Sequence, residues 1–234
     1  MTFNKNSLPY TILFTFILGA LFVVPLALAN EVTKPIVAFN SQLTKKYSIL
    51  TSMGILVERS NSQLVNDTYE QKVQVTYLDK ANNYASLNAE QIKAMQESGT
   101  NQLVEVYKGV SDKGETVYAK QFIGSGLWGA ITTILSFNSD LSRLTGIAIV
   151  SHSETPGLGA RIDESWYKTM VTGEAIVDGK ITPSSVPINR ENKDDGKIDV
   201  ITGATRTSEG MGAIYNLAIK EMTIILPLIQ GGQL

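Results

Sequence analysis

The longest unbroken run of apolar positions lies near the N-terminus, from Tyr10 to Ala29. It contains no charged residue, and about 20 apolar residues in a helix are enough to cross the ~30 Å hydrocarbon core of a bilayer. The run therefore predicts a transmembrane anchor over residues 1–30. A cleaved signal peptide is the alternative, because Ala27-Leu28-Ala29 has the form of a cleavage site, but the run exceeds the usual length of a signal peptide's apolar core.

Beyond the anchor, apolar residues recur at helical spacing and form one face: Ile36, Phe39, Leu43, Tyr47 and Leu50. This pattern predicts a connecting helix within residues 31–58, with Gly54 as its stop. The apolar face is expected to pack on the core of a single domain that occupies residues 59–234.

The first part of that domain alternates between polar and apolar stretches. Residues 60–68 are polar and predict a loop, whereas residues 73–77 alternate with period two, as in a half-buried strand. A short helix is predicted over residues 89–97, because Asn88 is a suitable N-cap and Gly99 a suitable end.

Two hairpins are predicted in the middle of the chain. Residues 103–107 and 117–122 are apolar segments separated by a polar turn, and residues 130–137 and 141–150 form a second such pair. Hairpins join antiparallel strands, so the sheet is expected to be mostly antiparallel.

The last third of the chain returns to helical patterns. A short helix over residues 163–170, capped by Asp163, and a short strand over residues 198–201 are predicted. A final helix over residues 208–225, which Pro227 helps to end, carries apolar residues at helical spacing: Met211, Ile214, Leu217, Ala218 and Met222. The order of elements favours an α+β fold, with an N-terminal transmembrane helix and a mostly antiparallel sheet flanked by helices.

Composition narrows the possible chemistry. The 234 residues include no cysteine and one histidine, and the net charge is −2. Thiolate catalysis, disulfides, iron–sulfur clusters and cysteine-type zinc sites are therefore excluded, and no metal site is predicted. The sequence has no basic stripe of the kind that would indicate a nucleic-acid partner. Any redox chemistry must come from an organic cofactor.

The main candidate site is the heptapeptide from Asp199 to Thr205, which has the form D-x-x-T-G-A-T and precedes the last predicted helix. A hydroxyl at a helix N-terminus suits phosphate binding, because free amides and the helix dipole favour an anion there. Thr205, Thr207 or Ser208 is expected to cap the helix. A tight turn and capped helix without any ligand is the alternative interpretation.

Two further segments are candidates for the same site. The loop from Ser153 to Gly159 contains E-T-P-G-L-G, in which Leu158 offers an apolar contact and Glu154 or Thr155 a polar one. The segment from Gly124 to Gly129 is rich in glycine, which predicts a bend or a close backbone approach. On the residues alone, this segment is a turn with Trp128 in the core.

The two motifs D-x-x-T-G-A-T and E-T-P-G-L-G, after an N-terminal apolar segment, resemble the covalent-FMN family. Its members are the FMN-binding subunits of Na⁺-translocating NADH:quinone reductases (Nqr), called NqrC, and of Rnf complexes, called RnfG. The resemblance implies FMN bound covalently through a phosphoester to Thr205. It also implies that the following residues lie at the cofactor: Asp199, Thr202, Gly203, Ala204, Glu154, Thr155, Pro156, Gly157, Leu158, Gly159, Leu127 and Trp128.

The resemblance further implies an electron-carrier subunit of a sodium-pumping NADH:quinone reductase, with no catalytic side chain and no NADH turnover alone. The G-x-G-L-W segment favours the Nqr type, and the Rnf type is the alternative. Implied partners are the other subunits, an FMN transferase and the bilayer of the bacterial inner membrane, with the domain facing the periplasm. A membrane-anchored structural or binding protein without flavin is the hypothesis from a different class.

Overall fold

The computed structural model describes residues 7–185 and 191–231. Contacts divide the chain into two units between Leu43 and Thr44. The first six residues of the predicted anchor lie outside the described ranges. The domain boundaries that the sequence predicts, at residues 30 and 58, stay predictions.

One continuous helix, α1, runs from Leu8 to Ser52 and covers both the predicted anchor and most of the predicted connecting segment. Its most apolar stretch is unburied, and its length and composition suffice to span a membrane, although a signal sequence has the same properties. Of the apolar face expected to pack on the core, the part that lies in the second unit does so, because Leu50 is fully buried.

The second unit contains four more helices and nine strands among the described residues. The helices are α2 (Ser62–Lys72), α3 (Ala89–Ser98), α4 (Ser165–Val171) and α5 (Thr205–Gln230). The strands are β1 (Val73–Asp79), β2 (Ala85–Ser86), β3 (Leu103–Val110), β4 (Thr116–Ser125), β5 (Ala130–Asn138), β6 (Arg143–Ser151), β7 (Glu174–Ala175), β8 (Thr182–Ser184) and β9 (Lys197–Asp199). Short 3₁₀ helices occupy Lys80–Asn82 and Gly159–Asp163.

The main sheet has seven strands in the order β2-β1-β3-β4-β5-β6-β7, and each neighbouring pair is antiparallel. Strands β8 and β9 form a separate parallel pair. Both predicted hairpins are present, β3 with β4 and β5 with β6. The predicted α+β class with a mostly antiparallel sheet is confirmed.

The predicted loop over residues 60–68 is wrong, because α2 begins there. The side chain of Asn61 accepts a hydrogen bond from the amide of Leu64 at 3.0 Å and so caps the helix. Val65 is fully buried, and Lys46 pairs with Glu70 at 2.8 Å. Because α2 buries a single apolar residue, its sequence shows no helical periodicity. Packing against the rest of the domain, rather than a pattern in the sequence, therefore stabilises this helix.

The helix α3 agrees with its prediction. Asn88 and Gln91 form a reciprocal capping box, and Gly99 follows the last helical residue. In α4, by contrast, the predicted cap is wrong. Glu164 occupies the N-cap position without a side-chain cap, and Asp163 instead pairs with Lys168 at 2.6 Å.

The last helix is longer than predicted at both ends. It begins at Thr205 rather than residue 208, and it continues through Pro227 to Gln230. Its inward face packs on the sheet through buried residues: Met211, Ile214, Tyr215, Ala218, Ile219 and Met222. Leu217, predicted on that face, is 42% exposed. Half of the helix's most apolar stretch is buried, as in the core helix of a soluble domain.

Candidate cofactor site

Thr205 is the first residue of α5, and its side chain is exposed. Ala204 occupies the N-cap position, and no side chain caps the helix there. The expectation that one of three hydroxyl residues caps the helix is therefore wrong. The geometry of a helix leaves the amides of its first turn without helical acceptors, and the helix dipole makes this end positive. An anion linked to Thr205 would meet both features.

Ser208 and Thr207 serve the structure under the turn instead. The Ser208 hydroxyl donates to the Ala204 carbonyl at 3.1 Å and accepts from the Ile201 amide at 2.9 Å. Both side chains are buried. The Ser208 contacts hold the turn before the helix in place, and this leaves Thr205 as the outward hydroxyl of the first turn.

The turn itself requires Gly203, whose φ of +78° lies in the left-handed region that favours glycine. A Cβ at this position would lie 3.2 Å from the side chain of Leu158. The loop with E-T-P-G-L-G therefore lies directly against the turn of D-x-x-T-G-A-T. Asp199 ends β9 just before this turn and is partly buried, while Thr202 is exposed.

The loop around Leu158 is a compact turn. The amides of Leu158 and Ala160 both donate to the Thr155 carbonyl at 3.1 Å. Gly157 has a φ of +75°, which again favours glycine. The turn leaves Thr155, Pro156 and Leu158 exposed, and 45% of the Leu158 side chain remains accessible. An apolar side chain is thus presented beside the start of α5.

Glu154 lies beneath this loop rather than at its surface, because only 5% of it is exposed. One carboxylate oxygen accepts from the Trp128 amide at 3.0 Å, and the other accepts from the Thr207 hydroxyl at 2.5 Å. The carboxylate therefore joins three segments that are distant in sequence. The predicted contact of Glu154 with the flavin edge stays a prediction.

The segment before β5 turns sharply, with the Gly126 amide donating to the Gly129 carbonyl at 2.8 Å. The alternative interpretation with Trp128 in the core is wrong, because 67% of the residue is exposed. Leu127 is 53% exposed. This short turn therefore presents two large apolar side chains to solvent.

Sequence reasoning missed Thr207 as a member of the site. Thr207, Met211 and Ile214 are spaced at i, i+4 and i+7, which places Thr207 on the buried face of α5. This spacing could have identified it as an inward hydroxyl in need of a partner.

Residues 126–220 match the FMN-binding domain family. The matched region contains Glu154 and both of its hydrogen-bond partners, Trp128 and Thr207.

Individual relatives are similar to this chain over different lengths. The NqrC-type subunit of the Na⁺-translocating NADH-quinone reductase from Pseudomonas aeruginosa is 23% identical over 240 residues, with 89% of this chain and 90% of that protein covered. The G-type subunit of the ion-translocating oxidoreductase complex of Methanosarcina acetivorans is 33% identical over 112 residues, or 47% of this chain. The match spans about half, 54%, of the archaeal protein.

The fold agrees with solved structures of similar proteins. The crystal structure of the corresponding Na⁺-translocating NADH-quinone reductase subunit from Parabacteroides distasonis aligns with a TM-score of 0.64 and 21% identity, covering 82% of this chain and 96% of that one. Shewanella oneidensis NqrC aligns with a TM-score of 0.65 and 16% identity, covering 80% and 96%. Together, the domain match and these relatives support a similarity of this chain to the FMN-binding subunits represented by NqrC and RnfG.

Proposed function

We propose that this chain is an electron-carrier subunit that holds FMN through a phosphoester to Thr205, within a sodium-pumping NADH:quinone reductase. The observation that carries the proposal is the exposed Thr205 hydroxyl at the first residue of α5, next to a turn against which Leu158 packs. The related subunits and the FMN-binding domain match support the part of the proposal that concerns an FMN electron-carrier subunit.

The residues at this site suit both the phosphate and the ring of an FMN group. The first-turn amides of α5 would hold the phosphate, since a helix N-terminus favours an anion. Leu158, Leu127 and Trp128 are exposed apolar side chains on the two segments that Glu154 joins to α5, and they would lie along the isoalloxazine ring. When bound, FMN supplies the electron-transfer chemistry, and the chain supplies anchoring, orientation and electrostatics.

The covalent step joins the Thr205 oxygen to the FMN phosphorus. Ester formation from free FMN would release water and is unfavourable in water, so the donor must hold the same phosphate as an anhydride. A flavin dinucleotide meets this requirement: the P–O bond of the anhydride breaks, a nucleoside monophosphate leaves, and the Thr205 proton passes to a base of the transferase. No redox change accompanies this step.

The proposed setting is the bacterial inner membrane with the domain on its periplasmic side, as the resemblance to the covalent-FMN family implies. With α1 in the inner membrane and the domain in the periplasm, a covalent link keeps the flavin on its protein in a compartment outside the cytoplasm. The chain would pass electrons between neighbouring subunits and would not oxidise NADH alone. A position in an Rnf-type complex is the second candidate, which the 33% identity to the archaeal relative favours over its matched 112 residues.

Fluorescence on a denaturing gel tests the covalent flavin. The full chain would be produced in its native membrane with the transferase present, as wild type, Thr205→Ala, Thr205→Ser and Thr223→Ala. We expect a fluorescent band in wild type, in Thr205→Ser, which keeps a hydroxyl, and in Thr223→Ala, which changes an exposed threonine on the same helix outside the candidate site. Thr205→Ala should give no band, and mass spectrometry of the wild-type peptide should show an added mass of FMN less one water.

Absence of a fluorescent wild-type band would leave a membrane-anchored domain without flavin, and the electron-carrier function would fall. Purification of the native complex separates the two electron-transport settings. Sodium-stimulated quinone reduction by NADH in the purified complex supports the Nqr type, whereas ferredoxin:NAD activity supports the Rnf type.

A further inference from the structure

The carboxylate of Glu154 is the point at which the three segments of the candidate site meet. It accepts one hydrogen bond from the Trp128 amide at 3.0 Å and one from the Thr207 hydroxyl at 2.5 Å. Glu154 itself begins the loop that carries Leu158. The exposed residues proposed to touch the flavin are thus all close in sequence to Glu154 or to one of its two partners. Leu158 follows Glu154 by four positions, and Leu127 is next to Trp128.

Burial makes this arrangement specific. A buried carboxylate is costly unless donors satisfy its oxygens, so moving either donor away would leave an unsatisfied acceptor. The hydrogen bonds of a carboxylate are also stronger than those between neutral groups. The two hydrogen bonds of this carboxylate therefore hold the three segments to one another.

Glycines close the backbone around the carboxylate. A Cβ at Gly159 would lie 2.5 Å from both the Glu154 Oε2 and the Thr207 Oγ1 atoms, too close for any real side chain. A Cβ at Gly126 would collide with Glu154 Oε1 and with the side chain of Ile131. The chain thus brings backbone from two segments against one acid group, which leaves little room for its side chain to move.

We propose that Glu154 is a positioning residue for the cofactor: it sets the distance between the Thr205 hydroxyl, the Leu158 loop and the Trp128 indole before FMN arrives. This inference rests on the proposed function, since it concerns the same site. Glu154 acts through Trp128 and Thr207 and does not itself need to touch the flavin.

The proposal distinguishes positioning from general stabilisation. If the carboxylate only stabilised the core, its removal would lower the free energy of unfolding. Flavin attachment in the chains that remain folded would then stay normal. A positioning residue, when removed, slows attachment to Thr205 and frees the Trp128 indole in chains that remain folded. An amide in its place should restore the function, because its oxygen accepts from the Trp128 amide and its NH₂ donates to the Thr207 oxygen.

The variants are Glu154→Ala, Glu154→Gln and Thr207→Val, and the control is Glu164→Gln, an exposed acid in the same part of the chain. All are made as full chains with the transferase. We expect early flavin attachment per folded chain to fall about tenfold in Glu154→Ala, the size expected from losing a hydrogen bond to a charged group. Glu154→Gln and the control should match wild type, and Thr207→Val should lie between.

A second measurement needs no flavin. The chain has two tryptophans, so in a Trp166→Phe background Trp128 is the sole indole. In chains made without the transferase, Glu154→Ala should lower the fluorescence anisotropy of Trp128 and raise its quenching by acrylamide. In loaded chains the same substitution should raise flavin fluorescence per absorbance, because indoles quench flavins at short range.

The outcomes separate the inference from the proposed function. A wild-type band with normal loading and normal Trp128 anisotropy in folded Glu154→Ala would overturn the inference and leave the flavin attachment standing. Absence of a band in wild type and in Glu164→Gln would overturn both. If Glu154→Ala does not fold, Thr207→Val decides in its place, and wild-type values for that variant in both measurements would also overturn the inference.

Discussion

The ammonium group of Lys120 on β4 lies 2.8 Å from a carboxylate oxygen of Glu221 on α5, and both side chains are almost completely buried. Lys80 approaches the second oxygen of the same carboxylate at 2.7 Å. The Lys120 ammonium also lies 4.1 Å from the centre of the Phe122 ring. This ion pair joins the sheet to the second half of the last helix.

Removing one partner of the pair should be strongly destabilising. Glu221→Gln leaves the buried Lys120 charge without its counterion, and such losses cost about 3–5 kcal/mol. Urea unfolding of the full chain in detergent micelles measures the change. The control is Glu97→Gln, whose exposed pair with Lys93 at 3.9 Å should contribute about 0–1 kcal/mol. Equal effects in the two variants would contradict the prediction.

The same pair predicts an acid-sensitive contribution to stability. Burial raises the pKa of the Glu221 carboxyl, but hydrogen bonds from Lys120 and Lys80 outweigh it, so the pKa lies below its ordinary value of 4.5. A lowered folded pKa means stability that is present above pH 4.5 and lost as the pH falls through the folded pKa. The difference in unfolding free energy between wild type and Glu221→Gln should therefore shrink as the pH falls below that ordinary value. A difference that stays constant from neutral pH down to about pH 3 would refute this.

The hydroxyl groups of Tyr167 on α4 and Tyr215 on α5 lie 2.9 Å apart, and both rings are fully buried. Tyr215→Phe should cost about 1–3 kcal/mol, because it leaves the Tyr167 hydroxyl unsatisfied in the core. The double variant with Tyr167→Phe should recover much of that loss, since both polar groups are then gone. A double-mutant cycle by urea unfolding measures the coupling, and additive effects would exclude it.

Gly146 on β6 is where the end of α1 meets the sheet. A Cβ there would collide with the main-chain oxygen of Ser52, a backbone atom that cannot rotate away. Gly146→Ala should therefore destabilise the domain by about 1–3 kcal/mol through overpacking. Gly129→Ala is the matched control, because its nearest neighbour would be Ser153 at 3.4 Å. Thermal unfolding of both variants should show a lower transition only for Gly146→Ala.

Much of the sheet could be predicted because its strands either alternate apolar and polar residues or are apolar runs, and because turn residues bound them. The β5–β6 hairpin is an example, in which apolar strands flank the polar residues 138–140. The cap of α3 was equally local, since Asn88 and Gln91 are three positions apart. Patterns of this kind depend on near neighbours in sequence, so a single chain contains them.

The rest depends on contacts between distant residues. Glu154 was predicted as a possible polar contact of its loop, and the sequence did not indicate that its oxygens accept hydrogen bonds from Trp128 and Thr207, 26 and 53 positions away. The start of α5 was expected at a hydroxyl cap, and Thr207 instead turns inward to the distant carboxylate of Glu154. Helix α2 is held by Lys46 and by the burial of Val65. Local propensity contains no information about such partners.

The position of Thr205 late in the chain has a consequence for biosynthesis. The partners of Glu154 extend from residue 128 to residue 207, so the site can close only after α5 has left the ribosome and packed on the sheet. A chain interrupted before α5 lacks both the attachment hydroxyl and the Thr207 donor. Flavin attached to Thr205 as proposed, in a site closed by Glu154, would therefore mark only chains in which α5 has been made and has packed on the sheet.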